Sequence, residues 1–232
     1  MANPINPGTF HPLRVNQYVS RMQYASDVNY NGSTRINFGL VVAQSANNVL
    51  NVANAATGSP ADLSTIVIAV PFGRNLQVVG NATMGTTGLT IRGYDYLGQP
   101  MAEAFTMNGI TAVLGNKAFK YLTQVTWPAV AGGTFSIGFG NKLGLPYRAI
   151  AQRLETAAGL PVTTQGTFVA GTNTGLTQAA GQPDPRGTYT PNTTPTGGIQ
   201  ITAMFDFAND TFGTIATAGE VGGLMGLPHI TF

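Results

Sequence analysis

Apolar residues recur at every second position in several short segments that are separated by glycine, asparagine and proline. The clearest alternation places Phe119, Tyr121 and Trp127 on one side of an extended segment. Such a period of two is typical of strands with one buried face. The predicted strands span residues 64–70, 75–84, 88–94, 99–106, 119–127, 133–140 and 199–207. This pattern predicts an all-β, mainly antiparallel fold, a jelly-roll-like sandwich or barrel that begins at about residue 36.

Two segments show helical spacing instead. Residues 147–158 place Tyr147, Ile150 and Leu154 on one face, with Pro146 before the segment and Gly159 after it. Residues 44–56 have a weaker pattern, because their four asparagines disfavour a helix. We therefore expect one or two short helices beside the strands.

Residues 1–35 are predicted to form an extended N-terminal arm, followed by a single β-sandwich domain over residues 36–232. Pro4, Pro7 and Pro12 interrupt regular strand pairing, and the large apolar residues are isolated. Such an arm either lies across a neighbouring subunit or folds back over its own domain.

A second irregular segment, residues 160–198, is rich in threonine, glycine and proline. It is predicted to be a long loop with one hairpin around residues 166–168. The C-terminal stretch is apolar and ends in Phe232, so we expect it to dock rather than extend into water.

The charge content is low for a chain of this length. Only 9% of the 232 residues are charged, against about 25% in ordinary soluble domains. Either partners cover much of the surface, or uncharged polar residues and glycine solvate it. The net charge of +2 comes from scattered bases, so no nucleic-acid-binding stripe is predicted. The chain has no cysteine, no apolar run of membrane-spanning length and no signal-peptide pattern at its start.

Few titratable residues occur at spacings that suggest chemistry. His11 and His229 have no nearby ligand or carboxylate in the sequence. Asp206 and Asp210 are close enough to suggest calcium, but turn residues that cap a strand explain them better. Asp95 and Glu103 flank a predicted hairpin, either as a glycosidase pair or as ordinary cross-strand neighbours.

The aromatic residues of segment 119–127 are candidates for stacking on sugars or bases, although the same pattern is more typical of a buried core. We predict no catalytic residue, no cofactor and no metal, and therefore no enzyme.

Five segments carry a resemblance to a known class of protein. They are residues 78–82, 89–106, 115–125, 133–138 and 143–148, which together contain a turn of the form Gly-x-Asp-x-x-Gly, a Lys-Ala-Phe strand and a Gly-Thr-x-x-Ile-Gly strand. In this order they resemble accessory structural proteins of tailed-phage virions, above all the capsid decoration or cement proteins. The resemblance covers about a third of the chain and implies a jelly-roll-like fold.

The resemblance implies a structural protein that decorates a phage capsid and stabilises it by clamping neighbouring subunits. Its partners would be the major capsid protein and copies of itself, as a homo-oligomer without direct contact to nucleic acid or membrane. It would reside in the virion and assemble in the bacterial host cytoplasm. The alternatives are a tail-tube, neck or other head-completion protein, or a carbohydrate-binding β-sandwich.

The candidate interface residues lie mainly in the arm. Large side chains there would fill pockets of a neighbour, and arginines would bind its carboxylates. The candidates are Phe10, Leu13, Arg14, Tyr18, Arg21, Arg35 and the C-terminal Phe232.

Overall fold

The computed structural model describes residues 17–20, 33–171 and 183–207. Within these residues the chain forms fifteen strands, one 3-10 turn at Ala82–Met84 and no α-helix. The strand pairs are antiparallel, which confirms the predicted all-β, mainly antiparallel fold. In chain order the strands are β1 (Gln17–Ser20), β2 (Ser33–Leu40), β3 (Ser45–Val52), β4 (Ser59–Val67), β5 (Arg74–Gly80), β6 (Gly88–Tyr94), β7 (Pro100–Thr106), β8 (Val113–Leu114), β9 (Tyr121–Trp127), β10 (Phe135–Gly144), β11 (Ala149–Ala157), β12 (Leu160–Pro161), β13 (Thr167–Ala170), β14 (Gly187–Thr190) and β15 (Gln200–Phe207).

The strands form three sheets, one of them curled into a half-barrel. Sheet 1 has the order β1-β2-β15-β11-β12, and sheet 3 has the order β4-β9-β6-β7. Sheet 2 has the order β13-β14-β10-β5-β8, and β3 also pairs with β10. Sheet 1 joins distant parts of the sequence, whereas sheet 3 is built from residues 59–127 alone.

Sheet 2 packs against both other sheets through aromatic rings. Tyr189 of sheet 2 contacts Phe38 and Phe205 of sheet 1, with ring centroids 6.0 and 5.3 Å away. Phe135 of sheet 2 contacts Trp127 of sheet 3 edge to face, with centroids 5.1 Å apart. These offset and edge-to-face arrangements are favoured by the ring quadrupole. One continuous apolar core therefore holds the three sheets together.

Four strands lie close to their predicted positions. Strand β6 coincides with predicted segment 88–94, and β7, β9 and β15 begin within two residues of their predicted starts. Strand β5 ends at Gly80, before the predicted end at 84, because a 3-10 turn capped by the Asn81 side chain follows it. Strand β4 begins earlier than predicted, and β10 continues further, to Gly144.

Both helix predictions are wrong. Residues 149–157 form β11, which lies between β15 and β12 in sheet 1. Its pairing with β15 shifts register twice, between Ala149 and Ala151 and between Gln152 and Leu154. Each bulge inserts an extra residue and breaks the period of two. The resulting spacing of apolar residues imitates the face of a helix.

The second predicted helix, at residues 44–56, is strand β3. Its side chains are mostly exposed or half-buried, so no apolar stripe supports a helix there. Three of the four asparagines, Asn47, Asn48 and Asn51, lie within the strand, and Asn51 is in register with Ser136 of β10.

The predicted loop over residues 160–198 contains three short strands, β12, β13 and β14. β13 and β14 pair as a hairpin whose connection includes residues 172–182, which lie outside the described residues. These strands are too short and too polar to show alternation. Within the predicted arm, residues 17–20 form β1 on this chain's own β2, and the remainder before Ser33 lies outside the described residues.

Candidate functional site: buried charges and a charge-poor exterior

The carboxylates are buried. Among the acidic residues whose side chains the structure describes, every one is at most 4% exposed. They are Asp95, Glu103, Glu155, Asp184 and Asp206. A buried charge needs hydrogen bonds or an opposite charge to offset its lost hydration. The partners of these carboxylates therefore show what the charges do.

An ion pair joins sheet 3 to sheet 2. Asp95 follows β6, and Arg186 precedes β14; their Oδ2 and Nη2 atoms are 2.5 Å apart, and both side chains are 2% exposed. The other oxygen of Asp95 accepts hydrogen bonds from the main-chain N–H groups of Leu97 and Gln99, each 2.8 Å long. The Arg186 guanidinium also lies over the Tyr96 ring, 5.3 Å from its centroid. Asp95 thus both closes the predicted turn and anchors it to another sheet.

Asp184 extends this contact. Its carboxylate accepts hydrogen bonds from the main-chain N–H groups of Arg186, at 2.9 Å, and of Ala118, at 3.1 Å. The buried Lys117 next to Ala118 donates to the main-chain oxygen of Ala102 in β7, at 3.1 Å. We call Asp95, Glu103, Lys117, Asp184 and Arg186 the inter-sheet cluster.

Glu103 of β7 completes the inter-sheet cluster. Its Oε1 accepts a hydrogen bond of 2.6 Å from the main-chain N–H of Asn116, in the loop that follows β8. Burial raises the pKa of Glu103 to about 7, although the Asn116 hydrogen bond and the charge of Lys117 oppose the rise. This carboxyl group therefore changes its protonation near neutral pH.

Glu155 of β11 joins sheet 1 to sheet 2. Its carboxylate accepts hydrogen bonds from the Tyr189 hydroxyl and from the main-chain N–H groups of Gly166, Asn192 and Thr193, the last three each at 3.0 Å. Burial alone would raise the pKa of Glu155, but these hydrogen bonds outweigh it and hold the pKa below its ordinary value. Glu155 is therefore a structural anion at neutral pH.

Arg74 is a buried cation whose guanidinium is held by oxygen atoms of neutral groups. It donates to the main-chain oxygens of Gly140 and Val42, the latter at 2.8 Å, and to Asn141 Oδ1 at 3.1 Å. Burial lowers the pKa of Arg74 to about 10, so the group stays charged at neutral pH. The pairing of β10 with β5 shifts register between Phe139 and Leu143. Arg74 of β5 therefore binds both this bulge and the segment that follows β2.

One face of sheet 3 carries a row of apolar and tyrosine side chains, of which Val67 and Tyr94 are exposed and Tyr121 and Pro100 are half-buried. Val67, Tyr121, Tyr94 and Pro100 are successive register partners across β4, β9, β6 and β7. Direct cross-strand partners point to the same face of a sheet. Val67 is 59% exposed and Tyr94 is 36% exposed. We call these four residues the tyrosine row.

Most of the sequence-predicted interface residues fall outside the described residues. Phe10, Leu13, Arg14, Arg21 and Phe232 lie there, and so do His11 and His229. Tyr18 lies in β1, in register with Arg35 of β2. Arg35 donates to Thr202 Oγ1, at 3.2 Å, and to Thr156 Oγ1, at 3.3 Å. Its guanidinium therefore binds this chain's own sheet 1.

The structure does not place the remaining candidates in one site. Of the three aromatic residues predicted to share one face of segment 119–127, Phe119 and Trp127 belong to the core, with 0% and 8% exposure. Only Tyr121 is half-buried and reaches the surface. Asp206 pairs with Arg153, whose Nη2 is 2.5 Å from its Oδ2, and Asp210 lies outside the described residues. Asp95 and Glu103 bind different partners rather than a shared cleft.

The described residues contain no cluster of three or more histidine, cysteine, aspartate or glutamate side chains that could hold a metal ion. In the same part of the chain, no helix is long and apolar enough to cross a membrane. Comparison with protein-family models, with curated proteins and with solved structures finds no match.

Sequence reasoning missed the inter-sheet cluster because its members are far apart along the chain. Asp95 and Arg186, for example, come from segments predicted as a simple turn and a loop. One signal was present in the sequence: Glu103 lies inside a predicted strand, and a carboxylate that is buried there has to be paired.

Proposed function

We propose that this protein is a structural component of a phage virion, which decorates the capsid and stabilises it by clamping neighbouring subunits. The observation that carries the proposal is the distribution of charge. The described carboxylates are used inside the molecule, so the described exterior lacks the negative charges that usually keep a protein surface free of contacts. Such an exterior suits broad contact, because the described surface has no exposed carboxylate that would lose its hydration when a partner binds.

The tyrosine row is the contact surface that we assign to this function. Tyrosine supplies a large apolar area together with a hydroxyl group, and it is enriched at protein interfaces. The row crosses all four strands of sheet 3, which is held rigidly to sheet 2 by the buried inter-sheet cluster. A rigid face loses little conformational entropy on binding.

Co-sedimentation with expanded capsid shells that lack this protein tests the proposal. We expect the wild-type chain to pellet with the shells, and the Y94E variant to remain in the supernatant because it places a charge in the tyrosine row. The matched control is V169E on β13, which adds the same charge at a site of similar exposure, 40%, on another sheet. If Y94E binds the shells as well as V169E does, the tyrosine row is not part of the interface.

Failure of the wild-type chain to bind shells would overturn the decoration role itself. Two further measurements separate the alternatives. Stacked rings in electron micrographs of the purified protein would indicate a tail-tube component. Binding to a glycan array that is lost in Y94E would indicate a carbohydrate-binding β-sandwich, with Tyr94 and Tyr121 as its stacking surface.

A further inference from the structure

A lysine and an asparagine side chain meet beside the buried Glu103. Lys142 lies in β10 and Asn116 lies in the loop after β8; the Lys142 ammonium donates a hydrogen bond to Asn116 Oδ1. Both side chains are partly buried, and Glu103, whose Oε1 accepts a hydrogen bond from the Asn116 main-chain N–H, is 1% exposed. An amine and a carboxamide can exchange to form an amide bond between two side chains with release of ammonia, and a nearby carboxyl group can transfer the protons.

The backbone around this pair is fixed on both sides by one buried side chain. Asn75 of β5 is fully buried; it accepts a 2.9 Å hydrogen bond from the Lys142 main-chain N–H and donates one of 2.8 Å to the Gly115 main-chain oxygen. Glu103 in turn holds the main-chain N–H of Asn116. Two reacting groups that are held in contact gain a large effective concentration.

Gly115 leaves room for the carboxyl group. A Cβ atom at this position would lie 2.6 Å from Glu103 Oε2, closer than a real Cβ contact. The loop backbone can therefore pack directly on Glu103 only because residue 115 has no side chain.

From this geometry we propose that Lys142 and Asn116 form an intramolecular isopeptide bond, with Glu103 as the group that transfers the proton. Neutral Nζ of Lys142 attacks Cγ of Asn116, so that a new Nζ–Cγ bond forms and the Cγ–Nδ2 bond breaks. Glu103 in its acid form gives a proton to the departing Nδ2 and takes one from Nζ. The products are one amide bond and one molecule of ammonia, and no oxidant or cofactor is needed.

The protonation states suit this reaction. Burial lowers the pKa of Lys142, although the nearby charge of Glu103 acts in the opposite direction. A desolvated lysine is more readily neutral and nucleophilic. The raised pKa of Glu103, about 7, keeps part of that group in its acid form near neutral pH.

Intact-mass spectrometry of the denatured full-length chain tests the bond. We expect the wild-type chain to be lighter than its sequence mass by one ammonia. After trypsin digestion we expect residues 93–117 and 121–148 to appear as one cross-linked species, because an acylated Lys142 is not cleaved. A full sequence mass together with cleavage after Lys142 would overturn the proposal, and this test needs no variant to fold.

Two variants and one control assign the chemistry. In K142R the sequence mass should be restored; persistence of the ammonia loss there would mean that it arises elsewhere, for example by cyclisation of an asparagine, and would overturn the bond. K120R is the control, because Lys120 is also partly buried but donates to the main-chain oxygens of Ile68 and Val70. The ammonia loss should persist in K120R.

The E103Q variant tests the role of Glu103 in proton transfer. In E103Q the cross-link should be lost or form much more slowly, and full cross-linking would overturn the role of Glu103.

Discussion

The hydroxyl group of Tyr189 on β14 donates a hydrogen bond to the carboxylate of Glu155 on β11, and this contact ties sheet 2 to sheet 1. The same hydroxyl accepts hydrogen bonds from Gln152 Nε2, at 2.9 Å, and from the Gly166 main-chain N–H, at 3.1 Å. Tyr189 is fully buried, and its ring packs between Phe38 and Phe205. The polar and the apolar contacts between the two sheets therefore converge on one side chain.

We expect the E155Q variant to be less stable by about 3 kcal/mol, because hydrogen bonds to a buried charged group are strong and costly to lose. A glutamine amide would also direct its N–H group toward main-chain donors. Y189F removes the hydroxyl that donates to Glu155 and accepts from Gln152 and Gly166, but it leaves no buried charge unpaired, because Glu155 keeps its main-chain donors; it should cost about 1–2 kcal/mol. Urea unfolding followed by circular dichroism measures both values. An E155Q midpoint at or above that of Y189F would contradict the anion's structural role.

The pH dependence of stability should carry the signature of Glu103. Its carboxyl group has a pKa of about 7 in the folded chain against an ordinary value of 4.5. Between these values the folded chain keeps a proton that the unfolded chain has lost. The free energy of unfolding should therefore fall as the pH rises from 4.5 to 7, by up to about 3 kcal/mol.

The measurement compares K142R with E103Q/K142R, so that neither chain can form the proposed bond. The first should lose stability over this pH range, and the second should show a flatter profile. Glu155 has the opposite sign, since its pKa is lowered; its contribution is lost only as the pH falls below about 4.5. Parallel profiles for the two chains between pH 4.5 and 7 would contradict the assignment to Glu103.

The ion pair between Asp95 and Arg186 should show strong coupling. R186M leaves the buried Asp95 carboxylate without its cation, and we expect a loss of about 3–5 kcal/mol. D95N keeps the oxygen that accepts from Leu97 and Gln99, and removes the charge. The double variant D95N/R186M should therefore be more stable than R186M alone. Thermal unfolding of all four chains gives the coupling energy, and strictly additive losses would show that the pair is not coupled.

Gly138 should tolerate no side chain. It lies in β10 opposite β3, where a Cβ atom would be 1.7 Å from the Ser45 main-chain oxygen. We expect G138A to break the pairing of β3 with β10 and to lower the melting temperature strongly or prevent soluble expression. The matched control is G88A in β6, where the nearest heavy atom to a Cβ is 3.9 Å away. Equal melting temperatures for the two variants would contradict this packing.

Strands with one apolar and one polar face can be predicted from the sequence. The prediction fails where a bulge, or polar residues on both faces, removes this alternation. β6 alternates cleanly, and its predicted bounds match the structure. The predicted bounds of β9 are close to those observed, but its buried residues are Leu122, Val125 and Trp127, so Tyr121 does not share the predicted face. The sequence of β11 predicts a helix because its two bulges shift the apolar positions. The sequences of β13 and β14 predict a loop because each strand has only four residues. A local pattern carries no information on pairings such as Asp95 with Arg186 or Glu155 with Tyr189, which exist only once the sheets pack. The buried charges were therefore not predictable from spacing.

The pairing of β2 with β15 sets an order for biosynthesis. Ile36 is in register with Ala203, so sheet 1 cannot close until the chain has left the ribosome as far as β15. Sheet 3 draws only on residues 59–127 and is complete much earlier in translation. Contacts so distant in sequence form slowly, because a long loop must close first. A prematurely terminated polypeptide that lacks β15 would leave β2 and β11 without the strand that joins them, and would expose two unpaired strand edges.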